Sequence, residues 1–238
     1  MHVYRSLNPI KALTFDLDDT LYDNGPYLAQ AVDQMMAAIT QVDGLNNVQL
    51  AQYNQVKQGI LTEQPDIYHD VFTWRAESIR QLLRLNGIKD STMVEKITDQ
   101  AMDHFVFWRN KVVVPKASLD VLAGLAEKYP LAVITNGNAD IEKIGLAPYF
   151  QFSLRGGADG LSKPYPDMFQ LATSKFGIAA DNIMHVGDHL EADVQGAING
   201  GMQACWINLA KVDIYQHTQA RVLPHIEINQ LSELNNLL

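Results

Sequence analysis

The sequence predicts an α/β protein: a doubly wound parallel sheet carrying an inserted all-helical segment. Three observations predict it. Short apolar runs with few charges recur along the chain, as parallel strands buried on both faces do. Helical patterns of about a dozen residues separate the later runs, the alternation expected of βαβ units. A long stretch with helical but no convincing strand character separates the first run from the second.

In chain order the first strand is "ALTF" (12–15). The insertion follows, with helical stretches at 26–42, 48–61, 70–87 and 91–110 and breaks near Gly44, Pro65 and Gly87. A helix near 115–129 leads into "LAVIT" (131–135), and "FQFSL" (150–154), "IMHVG" (183–187) and "QACWI" (203–207) complete the runs. Helices are expected over "PDMFQLATSKFG" (166–177) and "EADVQGAINGG" (191–201), and the closing "HIEINQLSELNNLL" reads as a last strand and a short amphipathic helix. The expected division is a core of residues 1–22 and 112–238 with a cap of residues 23–111.

Composition narrows the function classes. The chain of 238 residues is 47% hydrophobic and 19% charged, ordinary for a packed globular protein, and its net charge of −9 gives no general attraction to nucleic acid or anionic lipid. A single cysteine, Cys205, rules out an internal disulfide framework and, within "QACWI", reads as core packing. No signal peptide and no membrane-length apolar run are seen, so the expectation is a soluble cytoplasmic protein.

The chemistry concentrates at strand ends. "LTFDLDDTLYDN" sets Asp16, Asp18 and Asp19 at the end of a buried strand. Side chains two apart on a strand share a face, so Asp16 and Asp18 can reach one small volume, and two close carboxylates need a cation or a proton between them. A hard divalent ion, Mg²⁺ in particular, meets that need. The alternative is that one aspartate merely caps a turn. Asp19 is expected to point away on an extended path. Further along, Thr135 and Asn136 end the second core strand, Lys163 precedes a proline-started helix, and Asp188 follows a glycine with Asp193 five residues on. In a doubly wound sheet ligands bind beyond the carboxyl ends of the strands, where these residues can converge.

The motifs "FDLDDTL", "VITNGN", "SKP" and "VGDHLEAD" closely resemble the four motifs of the haloacid dehalogenase-like hydrolases. The resemblance spans the chain. It implies a Rossmann-like core with a helical cap following the first motif, Asp16 as nucleophile through an aspartyl-phosphate, and Asp18 as general acid and base and backbone ligand to Mg²⁺. It also implies Thr135, Asn136 and Lys163 on the phosphoryl oxygens, Asp188 completing the metal site with Asp16 and Asp18, and Asp193 as an outer carboxylate orienting Lys163 or a metal-bound water. A halide leaves without a proton, and family members that cleave carbon–halogen bonds generally lack the second aspartate. Asp18 therefore favours phosphoryl chemistry. Phosphonate cleavage, which in the family uses a cap lysine, has no recognisable motif around Lys57, Lys89, Lys96 or Lys111. His189 stands where a small or acidic residue is common; it reads either as the rim of a metal site or as a surface histidine opening a helix.

The intervals between Thr135, Lys163 and Asp188 leave no room for a second cap. In the inserted cap the densest candidate for substrate contact is "DIYHDVFTWRAESIR", with Tyr68, His69, Trp74 and Arg75; Trp74 could stack on a flat base and Arg75 meet a sugar or phosphate, or both could simply pack the helices. "LTFDLDDTLYDN", "IYHDV" with "WR", "ITNGNA", "HVGD" and "GMQACWI" further resemble a bacterial subgroup acting on riboflavin-pathway phosphates. That resemblance implies 5-amino-6-(5-phospho-D-ribitylamino)uracil and flavin mononucleotide as substrates. Alternatives are a broad sugar-phosphate or nucleotide phosphatase, a phosphosugar mutase or phosphotransferase, and a non-catalytic binding protein. The expected partner is a small phosphate ester, with no nucleic acid and no membrane.

Overall fold

The computed structural model describes all 238 residues, which divide into two compact units: Met1–Asp23 with Val113–Leu238, and Asn24–Val112. The first unit is built on a seven-stranded sheet. Its strands are β1 (His2–Val3), β2 (Ala12–Phe15), β3 (Leu131–Thr135), β4 (Phe152–Arg155), β5 (Ile183–Gly187), β6 (Gln203–Ile207) and β7 (Ile226–Ile228). Their order across the sheet is β1-β7-β6-β5-β2-β3-β4. Every pairing is parallel except β1 with β7. The five runs read as core strands all form strands. The added edge strand β1 is two exposed residues, too short to leave a periodic signal.

Strands β2, β3, β5 and β6 are buried along their whole length, which is why their sequences are nearly continuous apolar runs. Leu13 and Phe15 are completely buried, each contributing on the order of 2–3 kcal/mol of hydrophobic stabilisation. One core cluster joins Ala12, Ile134, Leu154 and Ile183 of the sheet to Met168 and Phe169 and to Val194 and Ala197. Met168 and Phe169 lie on the helix Asp167–Phe176; Val194 and Ala197 lie on the helical segment made of Leu190–Gln195, a π-turn, and Gly196–Asn199. The helix Lys116–Lys128 is tied to the chain end, Lys128 Nζ donating to the carbonyls of Leu237 and Leu238. The closing segment Leu231–Leu237 is a 3₁₀ helix.

The second unit has four α-helices: α1 (Gly25–Thr40), α2 (Leu50–Glu63), α3 (Val71–Leu85) and α4 (Ser91–Arg109). They match the four helical stretches of the sequence. Asp70 caps α3 by accepting from the amides of Phe72 and Thr73, and Asp90 caps α4 by accepting from that of Met93. The helices share a core that includes Met35, Ile39, Ile79, Leu83, Ile97 and Phe105. No helix of the protein is long and apolar enough to cross a membrane.

The sheet order sets where a ligand can bind. From β2 the chain proceeds to β3 and β4 on one side, then returns to β5, β6 and β7 on the other. The order therefore reverses between β2 and β5, and the crevice beyond their carboxyl ends is the binding position of such a fold.

Candidate active site

Asp16 directly follows β2, Thr135 is the last residue of β3 and Asp188 directly follows β5. Parallel register places these ends side by side, Phe15 opposite both Val133 and Val186. A cavity of about 200 Å³ opens there, lined by Asp16, Asp18, Thr135, Lys163, Asp188 and Asp193, among others. The core residues singled out in the sequence are thus brought together in one place.

Lys163 is the hub. Its side chain is almost fully buried, and its Nζ donates to Asp16 Oδ1 at 2.7 Å, Asp193 Oδ1 at 2.6 Å and the Ile134 carbonyl at 2.6 Å. These three acceptors use all three ammonium hydrogens. Here it holds the Asp16 carboxylate and supplies positive charge beside the position expected for the phosphoryl group. Asn136 lines the same cavity. Its Oδ1 accepts from the Lys163 amide at 2.7 Å and its Nδ2 donates to the Lys163 carbonyl at 2.9 Å, so its side chain clamps the lysine's backbone. Thr135 Oγ1 accepts from the Gly137 amide and keeps its own hydroxyl hydrogen to donate.

Asp193 uses both of its oxygens. Its Oδ1 receives Lys163 and His185 Nε2, and its Oδ2 accepts from the His189 amide at 2.9 Å. Burial opposes its ionisation, but the Lys163 charge and the His185 hydrogen bond hold its carboxyl well below the usual range. Asp16 behaves oppositely. Burial raises its carboxyl to about 8 despite Lys163, with the charges of Asp193 and Asp18 adding to the rise. Burial, again with the Asp193 charge, raises Asp188 to about 7, against a hydrogen bond from Thr20 Oγ1 at 3.2 Å. Burial lowers Lys163, but Asp16 and Asp193 outweigh it and the ammonium is held above its ordinary value. Several carboxylates thus face one ammonium, and the surplus negative charge asks for a cation.

The chemistry of the donors fits a hard divalent ion. Carboxylate oxygens of Asp16, Asp188 and Asp193 lie within 4.8 Å of one another, and all are hard donors. Asp193 accepts three hydrogen bonds, so Asp16 and Asp188 hold most of the remaining acceptor capacity.

Asp18 is half-buried, its Oδ1 accepting from the Tyr22 hydroxyl at 2.7 Å. Asp19 is not on an extended path. It has φ of 59°, the left-handed region that aspartate tolerates, and its amide donates to the Tyr22 carbonyl. The amides of Thr20 and Leu21 both donate to the Leu17 carbonyl, so Leu17–Tyr22 curls into a tight turn directly after the strand. The acidic, polar sequence "DLDDT" favours such a turn over continued strand. His189 is exposed, and its Nδ1 accepts from the amides of Glu191 and Ala192. It opens the helical segment and also lines the cavity, so both features its position suggested are present.

The cap candidates are engaged inside the helical unit. Arg75 is buried, its guanidinium stacked 3.7 Å from the centre of the Phe105 ring and 3.5 Å from the Tyr53 hydroxyl. Trp74 donates its indole N–H to the Lys57 carbonyl, and the Lys57 ammonium lies 4.2 Å from its ring centre. Both side chains pack the helices here, the second of the two readings given for them: a long cation and an aromatic ring on a helix look alike in sequence whether they face a ligand or a neighbouring helix. Tyr68 and His69 stack on each other, centroids 4.0 Å apart.

The sequence reading gives no role to Thr14, Thr20, His185 or Trp206, although each shapes the site. Trp206 Nε1 donates to the Asp188 carbonyl at 2.7 Å. Thr14 and His185 are polar residues within wholly buried strands, and that oddity is the signal that could have found them.

Comparison with known proteins agrees with the geometry. The family model of haloacid dehalogenase-like hydrolases matches residues 10–201. The chain is 42% identical, over the full length of both proteins, to the 5-amino-6-(5-phospho-D-ribitylamino)uracil phosphatase YigB of Escherichia coli K12. It is 24% identical to a glyceraldehyde 3-phosphate phosphatase of Pyrococcus furiosus, over 85% of this chain and 82% of the relative. Among solved structures, a 2-haloacid dehalogenase of Pseudomonas syringae pv. Tomato DC3000 superposes with a TM-score of 0.88 at 33% identity, covering 96% of this chain and 97% of the other. Fold and site define a hydrolase with a carboxylate at the switch point of a doubly wound sheet. The chain belongs to the haloacid dehalogenase-like hydrolases.

Proposed function

We propose that the protein is a Mg²⁺-dependent phosphatase of small phosphomonoesters, acting on 5-amino-6-(5-phospho-D-ribitylamino)uracil and on flavin mononucleotide. The observation that carries the class is the pair Asp16 and Asp18 at the switch point, with Lys163 fixed on Asp16. Full-length similarity to a phosphatase of that uracil compound supports the substrate. The helical unit Asn24–Val112 is taken as the cap that selects the ester.

In this reading Asp16 attacks phosphorus, and the bond from phosphorus to the ester oxygen breaks as Asp18 gives that oxygen a proton. Asp18, now ionised, takes a proton from water; the water oxygen attacks phosphorus, the bond to Asp16 breaks, and inorganic phosphate leaves. The covalent intermediate divides one hard displacement into two. Lys163 orients the Asp16 carboxylate and offsets its repulsion of the ester dianion. Thr135 donates its hydroxyl to a phosphoryl oxygen. Asp16, Asp188 and the backbone carbonyl of Asp18 are the residues that would hold Mg²⁺. When bound, the ion supplies charge neutralisation at the phosphoryl oxygens.

The likeness to a 2-haloacid dehalogenase favours one other reading, halide displacement. Asp18 argues against it, because a halide needs no proton. Assaying the purified protein with Mg²⁺ on both flavin-pathway esters, common sugar phosphates and a 2-haloacid decides the matter. Phosphate release fastest from the flavin-pathway esters is expected. Equal rates on all esters would remove the substrate assignment, and halide release without phosphate release would remove the phosphatase.

A further inference from the structure

Thr14 and His185 sit opposite each other in the ladder between β2 and β5. Thr14 shares its strand face with Asp16, two residues on. Thr14 Oγ1 lies 2.8 Å from His185 Nδ1, and His185 Nε2 lies 3.1 Å from Asp193 Oδ1. Lys163 Nζ then bridges the same Asp193 oxygen to Asp16 Oδ1. Thr14 and His185 are fully buried, and Asp193, Lys163 and Asp16 are nearly so. An unbroken buried chain of polar contacts therefore runs from the middle of the sheet to the proposed nucleophile.

A satisfied core histidine is the plain alternative, but the way its two nitrogens are used argues for more. A carboxylate can only accept, so Nε2 must carry the hydrogen that meets Asp193, which leaves Nδ1 to accept from the Thr14 hydroxyl. The reverse tautomer would set a lone pair against the carboxylate. Asp193 thus fixes the tautomer, as an outer carboxylate fixes a metal-ligating or catalytic imidazole, and the Thr14 hydroxyl satisfies the Nδ1 lone pair that remains. Burial, together with the Lys163 charge, pushes the imidazole pKa below its ordinary value, so the ring is neutral and donates without adding charge. The ring is also held sideways: Phe169 meets it edge-on at 5.2 Å and 88°. An aliphatic residue would fill this strand position without desolvating an imidazole.

We propose that His185, seated on Thr14, is a positioning residue: its Nε2–H fixes Asp193 Oδ1, and through it the Lys163 ammonium that aims the Asp16 carboxylate. It touches no substrate and acts through Lys163. The proposal rests on the phosphatase reading above.

The test compares His185→Leu, His185→Gln and Thr14→Val with wild type for kcat, KM and Tm on an aryl phosphate in Mg²⁺. Leucine is close in volume but leaves the buried Thr14 hydroxyl without its partner, so the fold is expected to form with a lowered Tm. Losing alignment of the reacting carboxylate should lower kcat roughly tenfold to a hundredfold, with KM within about threefold. Glutamine, whose side-chain N–H₂ can reach the Nε2 position, should restore kcat to within about fivefold of wild type, a rescue that a merely structural role would not give. Thr14→Val should lower kcat in the same direction and less. A His185→Leu kcat within twofold of wild type, or a kcat lost and not restored by glutamine, overturns the proposal. Should the variants not fold, ¹⁵N NMR of the wild-type ring decides: the Nε2–H tautomer is expected, and Nδ1–H or an imidazolium overturns it. Wild-type protein that releases phosphate from no ester would instead defeat the phosphatase reading itself, an outcome separate from either.

Discussion

Gly187 and Asp193 fill one another's space. A Cβ on Gly187 would stand 2.2 Å from Asp193 Cγ and 2.4 Å from its Oδ2, distances no real contact reaches. The glycine before Asp188 is therefore a seat for the carboxylate that anchors Lys163. Gly187→Ala must displace Asp193 and, with it, the lysine. The expected outcome is a kcat loss of roughly a hundredfold or more and a destabilisation of about 1–3 kcal/mol from overpacking a buried site. Steady-state kinetics and thermal unfolding measure both, and an alanine variant with wild-type kcat would show that Asp193 is not needed where it sits.

Asp16 and Asp18 should fail differently. Asp16→Asn removes the nucleophile and should abolish turnover with no initial burst. Asp18→Asn leaves the nucleophile, and an aryl phosphate with an acidic leaving group needs little protonation in the first step. The second step still lacks its base, and general acid–base groups contribute about 10²–10⁴-fold. Rapid mixing should therefore show a burst of the phenolate close to one equivalent of enzyme, followed by slow turnover. A burst in the Asp16 variant, or equal slowing of both steps in the Asp18 variant, would reverse the assignment.

The carboxyls of Asp16 and Asp188, raised from 3.8 to about 8 and about 7, link metal to pH. Without metal, the folded protein keeps these protons where the unfolded chain has released them. Their stabilising contribution is complete below about pH 4 and is lost as pH rises through 7 and then 8. A divalent ion binds the ionised forms, so its stabilising effect should grow over the same window. The rise in Tm on adding Mg²⁺ is expected to be larger at pH 8.5 than at pH 6. An equal rise at both values would place the ion elsewhere.

Much of this site could be read from the sequence because its parts lie at strand ends. Asp16, Thr135 and Asp188 follow three apolar runs whose parallel pairing aligns their ends, so order along the chain translates into proximity. What depends on side-chain direction could not be read. Asn136 sits beside Thr135 in sequence, yet turns its amide to the Lys163 backbone. The turn at Asp19 is set by hydrogen bonds to Leu17 and Tyr22, a pattern that a run of aspartates does not specify. His185 lay inside a run read only for its apolar character, and its meaning rests on Asp193 and Thr14, one of them 171 positions away. The direction of Trp74 and Arg75 was open for the same reason, since helix faces rotate with a register that composition does not reveal.

Arg75 offers a test of that last point. It is 7% exposed, and its contacts are the Phe105 ring, the Tyr53 hydroxyl and the repulsion of Arg109, with no carboxylate holding it. Burial, aided by the Arg75 charge, also lowers the neighbouring Lys57 to about 8. A buried cation without an anionic partner contributes by packing and by stacking on the ring. Arg75→Ala should therefore destabilise the protein by about 2–4 kcal/mol through a cavity in the helical unit. Arg75→Met keeps the stem and removes the uncompensated charge, so it should cost less than about 1 kcal/mol or stabilise. Lys57, freed of its cationic neighbour, should titrate higher in both variants, which NMR of the labelled ammonium can follow. Denaturant unfolding with parallel kinetics separates packing from recognition: a packing residue changes stability in this order, alanine worse than methionine, with KM for the phosphate ester nearly unchanged in the methionine variant. A methionine variant of wild-type stability whose KM rises tenfold or more would return Arg75 to the substrate.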